Sequence, residues 1–181
     1  MTTPDDRRRP FCVLMAGLPG SGKTTLSRAL TARGFVRLCP DEEMYHRHGV
    51  YGVDFPRGTF PVLERPVLEE AAVELREQLR AGHDVVVDHG FWTPDDRARW
   101  HSIATDAGAI VRLVYLEASH EELWSRVSKR NAEHATDPNS IYFAESDLLR
   151  YRNRFVPPGV DEPHMVYDGD PRTVLKALEA G

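Results

Sequence analysis

The stretch Gly17-Leu18-Pro19-Gly20-Ser21-Gly22-Lys23-Thr24 constrains this chain more than any other. It fits G-x-x-x-x-G-K-[ST], a glycine loop whose backbone N–H groups curl around phosphate oxygens. Its surroundings fit too. Phe11 to Ala16 is a short apolar run that reads as a buried strand, and Thr25 to Leu30 reads as the following helix. The helix N-terminus brings a positive dipole end to the same place. The binding stretch expected is Gly17, Leu18, Pro19, Gly20, Ser21, Gly22, Lys23, Thr24 and Thr25, with ATP as the nucleotide. Lys23 is expected on the β- and γ-phosphates, and the Thr24 hydroxyl on Mg²⁺.

Strands and helices alternate along the rest of the chain. Phe35 to Leu38, Val85 to Val87, Ile110 to Leu116 and Met165 to Tyr167 read as strands. Leu68, Ala72, Leu75 and Leu79 recur at helical steps and predict a helix over 64–81, which Gly82 ends. Thr93 caps another helix, with Pro94 at its first position. Ser119-His120-Glu121-Glu122 is a capping box that opens a further one. Helices are also expected over 145–155 and after Asp170-Pro171. The pattern predicts a three-layer α/β/α sandwich with a parallel central sheet of about five strands. Ligands then bind beyond the carboxyl ends of the strands.

The 181 residues suit one domain. Residues 1–9 read as a disordered polar tail, and 133–144 as a mobile loop in a small helical lid. The loop from Gly49 to Pro61 carries Tyr51, Phe55 and Phe60. Those rings serve recognition or pack on one another. A net charge of −5 argues against a general nucleic-acid binder. No apolar run nears the roughly 18 residues of a membrane span, and no signal peptide is evident, so the cytoplasm is the expected location. Cys12 and Cys39 read as small buried hydrophobes. Histidines 83, 101, 120, 134 and 164 show no metal spacing and read as surface residues.

Asp41 stands 18 residues beyond Lys23, at the end of the second strand. A carboxylate there suits a general base that takes a proton from an attacking hydroxyl. It also suits a helix N-cap, and the two roles are compatible. Asp88 closes an apolar strand, where it would hold Mg²⁺ or contact an acceptor. His89, Phe91 and Trp92 beside it either line an acceptor pocket or pack. Arg126 and Arg130 share a helix face leading into 133–144, from which they would reach a transferring phosphate; a solvated basic face is the alternative.

Taken together, GLPGSGKTT, RLCPDEEM, VVVDHGFW, VRLVYLEA, SKRN and FVPPGVDEP resemble the small P-loop kinases related to zeta toxins, polynucleotide kinase and chloramphenicol phosphotransferase. The likeness is greatest to the bacterial group called "AAA family ATPase" or "ATP-binding protein", and it runs over nearly the whole chain. The resemblance implies ATP-dependent phosphorylation of a hydroxyl, with Asp41 as base and Arg126 and Arg130 as lid cations. Polynucleotide kinase has an arginine shortly after that aspartate. Here position 44 is Met44 and the nearest downstream arginine is Arg47, a departure that weighs against a polynucleotide acceptor. The expected partners are therefore ATP and a small hydroxyl compound, met by Asp41, Asp88, Phe91, Trp92 and Arg47. A regulatory ATPase without an acceptor and a 5′-hydroxyl polynucleotide kinase are the alternatives. No N-K-x-D stretch is present to read guanine.

Overall fold

The computed structural model describes residues 8–132 and 142–180. Five parallel strands form its sheet: β1 (Phe11–Ala16), β2 (Val36–Leu38), β3 (Val85–Gly90), β4 (Ile110–Tyr115) and β5 (Met165–Val166), in the order β2-β3-β1-β4-β5. Cys12 pairs with Val85 on one side of β1 and with Val111 on the other. All six residues of β1 are buried. A central parallel strand has helices on both faces, so its sequence is a continuous apolar run, not an alternating one.

Among the described residues, seven helices flank the sheet: α1 (Lys23–Thr31), α2 (Pro40–His48), α3 (Phe60–Arg80), α4 (Pro94–Asp106), α5 (His120–Asn131), α6 (Glu145–Arg154) and α7 (Pro171–Glu179). On one face, Leu26 and Leu30 of α1 and Val174 and Leu178 of α7 pack on Val13, Met15, Val86 and Val114. On the other, Ala72, Leu75 and Leu79 of α3 meet Trp100, Ile103 and Ala104 of α4 over Leu14, Val85 and Val87. Each fully buried Leu or Val of these layers stabilises the fold by about 1.5–3 kcal/mol before entropy is counted. Arg97, only 2% exposed, ties α4 to the segment beyond α6. It donates to the Phe91 and Val156 carbonyls and pairs with Glu162.

The helix expected over 64–81 begins four residues earlier, at Phe60. Phe60 packs edge-on against Tyr51 and stacks near Phe55, and this anchor draws the first turn out of the loop. Pro61 sits in that first turn, where its missing N–H costs nothing. The rings of Tyr51, Phe55 and Phe60 thus form a small core with Met44 and Val67. Strand β3 runs on past its three valines to Gly90, which pairs with Met15 after a register shift. The caps at Thr93 and Ser119 form as expected.

Of the polar tail expected over 1–9, residues 1–7 lie outside the described ones. Arg8 pairs with Asp84, and Arg9 donates to the Gly108 and Ala109 carbonyls. Most of the expected lid loop, 133–141, also lies outside the described residues. Its two flanks are joined, because the Asn131 side chain bonds the Phe143 backbone in both directions. Among the described residues no helix is long and apolar enough to cross a membrane.

Candidate active site

The glycine loop fills the gap between the end of β1 and the start of α1. Gly22 caps α1 with φ at +102°, a left-handed conformation that any Cβ would strain. Lys23 opens the helix, and its ammonium donates to the Leu18 carbonyl at 2.9 Å and the Gly17 carbonyl at 3.3 Å. Burial lowers its pKa, opposed by the charges of Asp88 and Asp41 and helped by Arg130. Ser21 Oγ is buried in the loop without a hydrogen-bond partner. Gly90 of β3 passes so close that an added Cβ would collide with the Gly17 carbonyl. Leu18 is buried, Pro19 and Thr24 half-buried, and Thr25 exposed. Leu18 also packs with Leu123 of α5 and Leu148 of α6, which fastens the loop to the far helices.

Asp88 lies at the loop's flank, 3% exposed. Its Oδ2 accepts from Ser27 Oγ at 2.7 Å, from Arg37 Nη2 at 2.6 Å and from Arg37 Nε at 3.0 Å. Arg37, on the neighbouring strand β2, also pairs with Glu42 at 2.8 Å. A cation of the chain itself thus already neutralises Asp88. No residue pattern had singled out Arg37.

Asp41 enters from the first turn of α2. It is not the N-cap: Cys39 holds that position, without a side-chain cap, and Pro40 takes the first helical place. Asp41, Glu42 and Glu43 then all sit in the first turn, where the helix dipole favours negative charge. Burial raises the Asp41 pKa, although His89 and Lys23 pull it down. Two groups from other elements meet Asp41, namely Glu64 of α3 and His89 of β3. One ligand atom from each of the three lies within 4.8 Å of the others. Burial pushes the Glu64 carboxyl up to about 8, with the charges of Asp41 and Asp96 adding to it. Burial lowers the His89 pKa, against the pull of Asp41. Glu64 escaped the sequence reading because it looks like an ordinary polar residue at the start of a long helix.

Arg126 and Arg130 come over the loop from α5. Arg126 Nη1 donates to the Gly20 carbonyl at 3.1 Å, and Arg130 lies close enough to Lys23 to depress its pKa. Both arginines therefore stand near the glycine loop. Phe91 is 1% exposed and packs against Trp100 in the core, not along an open wall. Trp92 is half-buried against Tyr151. Arg47 points to another part of the surface. It pairs with Glu43 and Glu70 and lines a polar groove of about 350 Å³ between α2 and α3, a groove that Asp41 does not line. His120 bonds Glu145 rather than standing free. Both cysteines are free thiols, and burial pushes Cys12 up to about 12.

No curated protein matches the chain in sequence. Solved structures match its fold. A candidate kinase from Chloroflexus aurantiacus superposes with a TM-score of 0.75 at 21% identity, over 96% of this chain and 98% of that one. APS kinase from Mycobacterium tuberculosis, in complex with AMPPNP and APS, gives 0.62 at 20% identity, over 94% and 98%. A gluconokinase from Sinorhizobium meliloti gives 0.59 at 19%, over 96% and 92%. The fold is that of small P-loop kinases. The model of the family described as "AAA domain" matches residues 12–158, from the first buried strand to the proline pair after α6, and the chain belongs to that family.

Proposed function

We propose that this protein is an ATP-dependent kinase that transfers the γ-phosphate to a hydroxyl of a small molecule in the cytoplasm. The observation that carries the reading is the placement of Asp41. Its carboxyl lies within electrostatic reach of the P-loop lysine, in a half-buried corner at the carboxyl ends of β2 and β3. A nucleotide switch needs no carboxylate there, whereas phosphoryl transfer to a hydroxyl needs a proton acceptor. Fold relatives that carry the names gluconokinase and APS kinase support the same class of reaction.

In this reading Lys23 leaves the Gly17 and Leu18 carbonyls for the β- and γ-phosphate oxygens. Arg126 and Arg130 add positive charge over the transferring group. The acceptor oxygen attacks the γ-phosphorus, the bond to the ADP oxygen breaks, and the hydroxyl proton passes to Asp41. Catalysis is then mostly positioning and charge stabilisation. The oxygen donors fit Mg²⁺: Thr24 as a direct ligand, and Asp88 through the ion's waters, since Asp88 Oδ2 already serves Ser27 and Arg37. When bound, the ion neutralises charge on the β- and γ-oxygens. Arg47 lies outside this corner, tied to two glutamates, which favours a small acceptor over a nucleic-acid end.

A panel of hydroxyl compounds tests the proposal, with sugars, sugar acids, nucleosides and 5′-hydroxyl oligonucleotides compared by transfer of labelled phosphate from ATP. Saturable labelling of a small acceptor is the expected result. Steeply salt-dependent labelling of the oligonucleotide alone would overturn the small-molecule reading.

A further inference from the structure

Asp41, Glu64 and His89 reach one point from three separate elements, α2, α3 and β3. Residues so far apart in sequence converge only because the fold brings them together. Among the described residues, no hydrogen bond or ion pair engages the side chain of Asp41 or of Glu64. The Nδ1 atom of His89 is buried and also without a partner. Buried polar atoms are nearly always paired, so the orphaned His89 nitrogen, with two half-buried and unengaged carboxylates beside it, marks a place made for something else.

We propose that Asp41, Glu64 and His89 form a divalent-cation site for a Mn²⁺- or Zn²⁺-like ion, separate from the Mg²⁺ that accompanies ATP. Geometry allows it. Three atoms within 4.8 Å of one another share a centre no more than about 2.8 Å from each; a small rotation of each side chain brings them to the ~2.0–2.2 Å of Zn²⁺ bonds to nitrogen and oxygen. The donor set decides the ion. Mg²⁺ prefers oxygen and holds its waters, whereas an imidazole nitrogen with two carboxylates suits Mn²⁺ or Zn²⁺. Charge agrees as well. The charge of Lys23 favours the ionised Asp41 carboxylate, and a bound nucleotide would draw that charge toward the phosphates. The two carboxylates would then face each other with less counter-charge.

All three ligands are half-buried, so the site is open to solvent on one side. Three protein ligands also leave a coordination place free. If the kinase reading holds, that place takes an oxygen of the acceptor next to its reacting hydroxyl. The cation site itself does not depend on that reading.

The test uses the full chain without nucleotide, stripped with chelator and titrated with Mn²⁺ under electron paramagnetic resonance. We expect one bound Mn²⁺ per chain, displaced by Zn²⁺ but not by equimolar Mg²⁺. Its spin-echo signal should carry the modulation of one imidazole ¹⁴N. Glu64→Gln and His89→Gln should each weaken binding by about tenfold or more, and His89→Gln should abolish the ¹⁴N modulation. Circular dichroism of each variant checks that it is folded. A wild-type signal without ¹⁴N modulation would overturn the proposal before any variant is made. So would equal Mn²⁺ affinity in wild type and both folded variants. Transfer activity plays no part in the readout, so the cation site and the kinase reading stand or fall separately.

Discussion

Arg37 Nη2 lies 2.6 Å from Asp88 Oδ2, and Arg37 Nε approaches the same oxygen at 3.0 Å. The two side chains come from adjacent parallel strands and are 14% and 4% exposed. Such a pair adds little to stability when intact, because both charges lost their water. Breaking it is another matter. Arg37→Gln leaves the Asp88 carboxylate buried without its ion-pair partner and with Ser27 as its hydrogen-bond partner, at a cost of about 3–5 kcal/mol. For a chain of this size that is a fall in Tm of roughly 10 °C. Adding Asp88→Asn removes the stranded charge and should recover much of the loss. Thermal unfolding of the two variants checks this, and a Tm within about 2 °C of wild type for Arg37→Gln would count against it.

Lys23 holds two loop carbonyls and lies among groups that depress its pKa through burial. Removing it relieves a desolvated charge, so Lys23→Ala should keep its fold. It should lose tight binding of an ATP analogue, because no other side chain replaces that cation on the β/γ oxygens. Calorimetric titration with a non-hydrolysable analogue gives the answer. Undiminished affinity in the variant would remove Lys23 from the nucleotide site.

The fold was legible because each layer left its own period in the sequence. The apolar run 11–16, the valines 85–87 and the run at 110 are strands with helices on both sides, and they lie where hydrophobicity placed them. The caps at Thr93 and Ser119 rest on local chemistry and formed as read. The site was only half legible. Its glycine loop is one contiguous motif. Its other end is assembled from Asp41, Glu64 and His89, whose approach depends on how α3 packs against α2 and the sheet, and no local pattern records that. The same holds for Arg37 and Arg97. A buried arginine looks like a surface arginine until its partners, Asp88 and Glu162, come round from elsewhere. Phe91 shows the reverse case. Its place after a strand suggested a pocket wall, but the turn of the chain sends its ring into the core.

Asp147 joins the loop before α3 to the first turn of α6. Its carboxylate accepts from Arg57 at 2.8 Å, from the Ala144 N–H at 3.0 Å and from Arg150. Burial pushes its pKa up, but these partners outweigh it and hold the carboxyl below the ordinary aspartate range. The folded state therefore takes up this proton less readily than the unfolded chain. The stabilisation is full above the unfolded value of about 3.9 and fades as pH falls through the lower folded value. Asp147→Asn should cost about 1–2 kcal/mol at pH 7, discounted because the Arg57 side chain is 45% exposed. The gap in Tm between wild type and variant should close toward pH 3 and below. A gap that stayed constant across that range would mean the loss comes from packing and not from charge.

Asp41→Asn separates chemistry from structure at the centre of the site. Asp41 does not cap α2, and burial raises its pKa. Its charge is therefore a cost to the fold, with Glu64 close by to increase it. Exchanging the carboxylate for an amide of the same shape removes that cost, so Tm should stay level or rise slightly. Nucleotide affinity should also hold, since Lys23 and the loop amides carry it. Transfer to a small acceptor should fall by roughly 10²-fold or more, the scale expected when a general base is lost. The three readouts have to be taken on one preparation, with Mg²⁺ as the only added cation. A fall in Tm with transfer nearly intact would make Asp41 a structural residue. A fall in nucleotide affinity would move it to the phosphate end of the site. Only the combination of normal Tm, normal nucleotide affinity and lost transfer fits a base that serves the acceptor and not the nucleotide.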